Sequence, residues 1–301
     1  MLLHGIESDS SFYHVKKISN NEFWAGGEYG ILKKIDSLGN VSSLNFPNDG
    51  IDILKIERIH NYVFIITANA VIYRYDIEKK AFLKKEFPMF KNKCFYDLIE
   101  LKNGKLLVCG GASGIAKGKR KIPKGFIATI DQDLKEINVV WKSNRKFVWS
   151  LSEFENQKIL AATFNGLNTQ IIKSENLKYW QKDIKIKGLV HEIALFDNQI
   201  WYCGTKNIHF KKNGIIGKAT KGQKQKILYK TGCLWSLDIM DGKIITVTQN
   251  CELLQMNKKS NEIEQIKIPK ISTLYDIEKI SESKILVVGH GKTAYIINFK
   301  Q

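Results

Sequence analysis

The chain has no run of about eighteen consecutive apolar residues, so no membrane-spanning helix and no membrane insertion are expected. Its first ten residues lack the basic start and apolar core of a secretory signal, and a cytoplasmic chain is the simplest expectation. It also lacks any Cys-x-x-Cys pair. The five cysteines (Cys94, Cys109, Cys203, Cys233, Cys251) are an odd number, each within or beside an apolar strand run. They read as buried thiols in a reducing compartment, not as disulfide staples or zinc ligands.

Arginine is scarce. A net charge of +17 would ordinarily point to an anionic partner, yet only Arg58, Arg74, Arg120 and Arg145 among the 47 basic residues are arginines. Arginine is the side chain favoured for bidentate contacts with guanine or phosphate, so nucleic acid is disfavoured as a partner. An anionic protein surface stays open as a partner, beside the plainer reading of the lysines as a solvated surface. There is no G-x-S-x-G, no P-loop and no glycine-rich dinucleotide turn. No cofactor is expected, and the balance leans away from an enzyme.

What the chain does have is a repeat. Residues 94–110 read CFYDLIELKNGKLLVCG, 147–163 read FVWSLSEFENQKILAAT, 189–204 read LVHEIALFDNQIWYCG, 234–248 read LWSLDIMDGKIITVT and 273–289 read TLYDIEKISESKILVVG. Two weaker copies lie at 12–26 and 51–67. Aligned, one column holds Tyr13, Ile51, Tyr96, Trp149, His191, Trp235 and Tyr275. Two positions on, Val15, Ile53, Leu98, Leu151, Ile193, Leu237 and Ile277 are uniformly apolar and are expected to face the core. Between the two columns lie His14, Asp52, Asp97, Ser150, Glu192, Ser236 and Asp276, uniformly polar.

Each copy reads as a strand, a polar hairpin turn and an apolar second strand, then a third strand and, in six copies, a fourth. Fourth strands are expected at 41–46, 81–87 and 262–268, each stopped by a proline (Pro47, Pro88, Pro269), which cannot continue a ladder. Four strands in a repeat of about 44 residues, seven times over with no helical stretch between, is the pattern of an all-β, seven-bladed β-propeller. The chain is expected to be a single domain with blades 11–46, 51–87, 94–141, 147–184, 189–229 and 234–268 and a last blade of 273–301 plus 1–8. The last unit lacks a fourth strand and one spare strand, 2–7, precedes the first, so this strand is expected to pair in the last blade and close the ring.

In their Tyr-Asp-Ile/Leu start and apolar second strand ending in glycine, the repeats resemble WD-repeat-like propellers and bacterial propellers of the lactonase and assembly-factor kind. The Trp-Asp dipeptides of true WD repeats are absent. The resemblance implies, for most such propellers, a rigid platform for protein partners, and for a minority a hydrolase, lyase or sugar binder.

In antiparallel blades the starts of the first strands share one face, so the candidate ligand- or partner-binding mouth is Tyr13, His14, Asp52, Tyr96, Asp97, Trp149, His191, Glu192, Trp235, Tyr275 and Asp276, with His290 from the end of a second strand. The plain alternative is that strand starts beside solvent take polar residues and aromatics fill the gaps between blades. A metal on His14, His290 and a carboxylate is chemically conceivable, but no local ligand spacing supports one, and none is expected. Three basic loops are expected on the same face: Lys117, Lys119, Arg120, Lys121 and Lys124; Lys142, Arg145 and Lys146; and Lys206, Lys211 and Lys212. The leading expectation is a monomeric, non-catalytic module that binds a protein partner, or an acidic segment of one. The alternative is an enzyme or small-ligand binder using the carboxylate, histidine and aromatic groups of the mouth.

Overall fold

In a computed structural model the described residues are 2–7, 11–47, 49–112, 124–154, 158–197, 199–206, 214–219, 226–240, 242–257, 260–268, 273–291 and 293–299. They form seven four-stranded antiparallel sheets and two short 3-10 turns, and no helix among them is long and apolar enough to cross a membrane.

The N-terminal strand is β1 (Leu2–Glu7). Sheet one is β2 (Phe12–Ser19), β3 (Glu22–Gly27), β4 (Leu32–Asp36) and β5 (Val41–Ser43), and sheet two is β6 (Ile53–Ile59), β7 (Tyr62–Thr67), β8 (Val71–Asp76) and β9 (Ala81–Glu86). Sheet three is β10 (Lys93–Glu100), β11 (Leu106–Ala112), β12 (Gly125–Ile130) and β13 (Ile137–Ser143). Sheet four is β14 (Phe147–Phe154), β15 (Lys158–Phe164), β16 (Asn168–Ser174) and β17 (Gln181–Lys187), and sheet five is β18 (Leu189–Phe196), β19 (Gln199–Thr205), β20 (Gly214–Ala219) and β21 (Lys226–Thr231). Sheet six is β22 (Leu234–Met240), β23 (Lys243–Thr248), β24 (Glu252–Asn257) and β25 (Ile263–Lys267). Sheet seven is β26 (Thr273–Ser281), β27 (Lys284–His290) and β28 (Thr293–Asn298), with β1 as its fourth strand, paired antiparallel to β28 from Leu2 opposite Asn298 to Glu7 opposite Thr293. This is the closure by the spare N-terminal strand that the repeat count requires.

The chain divides into two compact units, one of Met1–Ile65, Tyr73–Leu83 and Thr231–Gln301 and the other of Ile66–Ile72 and Lys84–Lys230. In the first unit, Ile6 packs with Phe12, Val15 and Phe23 of sheet one and Leu286, Val288 and Ile296 of sheet seven, while Val247, Leu253 and Ile277 join sheets six and seven. In the second, Leu107, Cys109, Val148 and Leu151 join sheets three and four, and Ile171, Ile186, Val190 and Tyr202 join sheets four and five. The second strands are buried almost end to end, which is why they read as continuous apolar runs; the fourth strands are largely exposed. All five cysteines are buried thiols outside any disulfide.

The glycine that ends the second strand has a steric cause. A Cβ on Gly110 would lie 1.9 Å from the carbonyl oxygen of Cys94, and one on Gly289 would lie 2.1 Å from that of Thr273, so only glycine lets the second strand approach the start of the first so closely.

Two expectations are corrected. The fourth strand of sheet one stops at Ser43 instead of continuing to Phe46, because the chain leaves the ladder and Phe46 packs edge-on against Tyr73 and Phe82, with ring centroids 4.7 and 5.2 Å away. The register of sheet two is three residues off. β6 starts at Ile53, and the position matching His14 is Lys55, since Ile56 makes the backbone contact that Val15 makes elsewhere and Glu57 pairs with Lys16 at 2.8 Å. Asp52 therefore stands before the strand and accepts the Tyr29 N–H at 2.9 Å.

Candidate functional site

Every first strand whose pairing to its second strand is described carries a register irregularity at the aromatic column. It falls between Phe12 and His14, Phe95 and Asp97, Val148 and Ser150, Val190 and Glu192, Leu234 and Leu237, and Leu274 and Asp276. Tyr13, Tyr96, Trp149, His191, Trp235 and Tyr275 lie in these irregularities. A bulge leaves one residue unpaired and re-aims its side chain, which explains why one column can be aromatic in strands otherwise committed to the core.

The aromatic groups form an arc within each unit. In the first, Tyr13 and Trp235 each meet Tyr275 edge-on with centroids 5.3 Å apart. In the second, Tyr96 stacks on Trp149 at 4.7 Å and Trp149 meets His191 edge-on at 5.2 Å. Burial raises the tyrosine hydroxyls of Tyr13, Tyr96 and Tyr275 and pushes the His191 imidazole down to about 3, so His191 is neutral at physiological pH.

The polar column does something the sequence did not disclose. Asp97 Oδ2 accepts the Leu151 N–H of the next sheet at 2.7 Å, and its Oδ1 accepts the N–H of Leu98 at 2.9 Å. Ser150 Oγ accepts the Ile193 N–H at 3.3 Å, Asp276 Oδ2 accepts the Val15 N–H at 2.9 Å, and His14 Nδ1 accepts the Ile56 N–H at 3.3 Å. The bonds to Leu151, Ile193, Val15 and Ile56 each join one first strand to the next and satisfy a backbone donor on that strand. With Nδ1 accepting, the neutral His14 ring carries its proton on Nε2, which lies 3.4 Å from Asp276 Oδ2. Burial, then Lys55 and Lys16, hold the His14 pKa well below its usual value, so the contact joins a neutral donor to the acid. Both nitrogens of His14 are thus engaged by the protein.

His290 is exposed and its Nδ1 lies 2.9 Å from Ser11 Oγ. No group of three or more potential metal-ligating side chains converges among the described residues. Glu192 is half-buried on β18 opposite Cys203.

A second layer of charge is hidden in the sequence because its residues share no type from copy to copy. Lys16, Glu57, Asp238 and Glu278 follow the apolar column by one residue, and all four belong to the first unit. Burial raises Glu278 to about 7 against the help of Lys16, with Asp276, Asp238 and Glu57 raising it further. Asp276 is raised to about 6 by burial, opposed by hydrogen bonds from Ser236, Val15 and Ile277. For an acid whose folded pKa lies above its ordinary 4.5, protonation favours the folded state; that contribution is complete below about pH 4.5 and lost as pH rises through 7. Glu278→Gln should therefore match the wild type in melting temperature near pH 5 and exceed it at pH 8, by an amount equivalent to about 1–3 kcal/mol. Calorimetry of both proteins across that range checks the sign.

Of the basic loops, Lys124, Lys142, Arg145, Lys146 and Lys206 are described; Lys117, Lys119, Arg120, Lys121, Lys211 and Lys212 lie outside the described residues. Lys124 and Lys142 line one groove, and the adjoining Gly125 N–H donates to the Lys146 carbonyl at 2.7 Å.

No protein-family model matches the chain, and no curated protein matches it in sequence. Solved structures do match it along nearly its full length. The chain is similar to virginiamycin B lyase from Staphylococcus aureus (12% identity, 99% of each chain, TM-score 0.77). It is similar to YCF48 bound to D1 peptide (10% identity, 100% of this chain and 95% of that one, TM-score 0.72). It is also similar to the WD40 β-propeller domain of Doa1 (10% identity, 99% and 96%, TM-score 0.72). At such identities the likeness is one of fold: the chain is a seven-bladed β-propeller with the WD-repeat-like architecture.

Proposed function

We propose that this propeller is a non-catalytic interaction module that recognises a protein partner through an acidic segment. One observation carries the reading: Asp97, Ser150, Asp276 and His14, the polar groups that would serve a catalytic mouth, are engaged by backbone N–H groups of neighbouring first strands. The half-buried aromatic column and the lysines are left for recognition. Among similar structures, one is a propeller solved with a bound peptide, which supports the same use of this fold.

Immobilised full chain exposed to a native cell extract should retain a polypeptide in stoichiometric amount and release it chemically unchanged as salt is raised, because contacts between clustered charges are screened within about 8 Å at physiological ionic strength. Retention of nothing, or of a polypeptide whose binding ignores salt, counts against the reading.

A second reading, an enzyme of lyase or hydrolase type, is favoured by the near-neutral Glu278 carboxyl among Asp276, Asp238 and Lys16. One similar structure is a lyase. The two readings part on Glu278→Gln: partner retention is unaffected under the first, whereas a turnover found in the wild type and lost in that variant would establish the second.

A further inference from the structure

The second unit holds a groove of about 560 Å³ outside the polar and aromatic columns. That volume is within the roughly 300–1,000 Å³ of ligand-binding clefts. Its floor is apolar. Phe90, from the 3-10 turn Pro88–Phe90, stacks on Phe126 of β12 with centroids 4.1 Å apart, and both side chains are 1% exposed. One wall is the outer strand β13, where the register shifts between Ile127 and Ala128 and leaves Val140 without a partner beside Val139 and Trp141. Val139 and Met89, 38% and 55% exposed, give the cleft an open apolar rim.

The polar lining is of one sign. Lys93, Lys124 and Lys142 line the groove and no carboxylate does; among the described residues none of the three is in an ion pair. Lys93 Nζ stands 5.1 Å from the Phe90 ring centroid and 5.2 Å from that of Phe126. Burial, and then the charge of Lys124, lower its pKa, so its ammonium group gains from an incoming carboxylate.

We infer that this groove is the docking site for a partner segment in which an Asp or Glu lies next to a large apolar side chain. The apolar side chain enters between Met89, Val139 and Trp141, and the carboxylate meets Lys93 with Lys124 or Lys142. The inference rests on the interaction-module reading and gives that module an address and a partner chemistry. The groove favours a peptide over a nucleic acid strand. Phe90 and Phe126 are each 1% exposed and give a base no open face to stack on, and arginine is missing from the lining.

The test is selection from a random-peptide display library on the immobilised full chain, followed by affinity measurement of the selected peptides. Peptides enriched in Asp or Glu beside Phe, Trp, Leu or Met are expected. Their affinity should fall at least about tenfold in Lys124→Glu/Lys142→Glu, where both lysines are exposed, and should fall in Lys93→Met. Replacing the acidic residue of a peptide by its amide should cost a similar factor. Peptides without acidic enrichment, affinities unchanged in both variants, or tighter binding of a single-stranded oligonucleotide competing at the same lysines would each overturn the inference. If the selected peptides bind both variants normally, the groove assignment fails while partner capture from the extract still stands or falls by itself.

Discussion

Deleting residues 1–8 is expected to lower the melting temperature by roughly 10 °C and to make the protein aggregate at concentrations where the full chain stays dispersed. β1 is the fourth strand of sheet seven, and without it β28 becomes an unpaired edge from Thr293 to Asn298. Ile6 is 4% exposed in a core with Phe12, Val15, Leu286, Val288 and Ile296, so its removal uncovers the packing between sheets one and seven. Losing that burial and the ladder together should cost about 3–5 kcal/mol, and for a chain larger than about 150 residues each kcal/mol moves the melting temperature by about 2–4 °C. Scanning calorimetry with light scattering measures both effects. A truncated chain that melts with the full chain and stays dispersed would show that β1 does not hold sheet seven closed.

Asp97→Ala is expected to be the most damaging single change in the polar column. It leaves the amides of Leu151 and Leu98 without their acceptors in a place where Asp97 itself is 5% exposed. An orphaned buried donor costs about 1–3 kcal/mol, so the loss should be about 2–4 kcal/mol. Asp97→Asn keeps one carbonyl oxygen for Leu151 and presents an NH₂ group to Leu98, and should lose about half as much. A ligand-binding carboxylate would behave otherwise: either substitution would leave stability nearly unchanged.

Most of the fold was legible because its physics repeats along the chain. The buried second strands had to be continuous apolar runs, and where one closes on glycine, as at Gly110, Gly204 and Gly289, a neighbouring carbonyl occupies the place of a Cβ. In the copy at 51–67, Ile51-Asp52-Ile53 imitates the apolar-acid-apolar pattern of the stronger copies three residues before the true register. The spacing to the second strand held the correction: the aromatic column lies nine or ten residues before that strand in the other copies, Tyr96 before Leu106 or Trp235 before Ile244. Leu54 keeps that distance to Val63 and Ile51 does not.

The candidate site was legible as residues but not as roles. A polar residue at a strand start looks the same in sequence whether it faces solvent or the backbone amide of the next sheet. The difference lies in which neighbouring strand's amide comes within reach, which sequence periodicity alone does not reveal. The groove could not be read at all. Phe90 comes from a turn, Phe126 from a third strand and Trp141 from a fourth, and none belongs to a repeating column. Only Lys124 and Lys142 drew notice, through the clustering of charge.

If the polar column joins sheets and does not wait for a ligand, amide hydrogen exchange at Leu151 will report it. In the wild type this amide should be protected to the same degree as the core of β15. In Asp97→Ala its exchange should accelerate at least about tenfold relative to Ile193, whose N–H is held by Ser150 and is untouched by the change. A Leu151 amide that exchanges as slowly in Asp97→Ala as in the wild type, with Ile193 as the internal reference, would contradict the account and return Asp97 to the pool of groups available for binding.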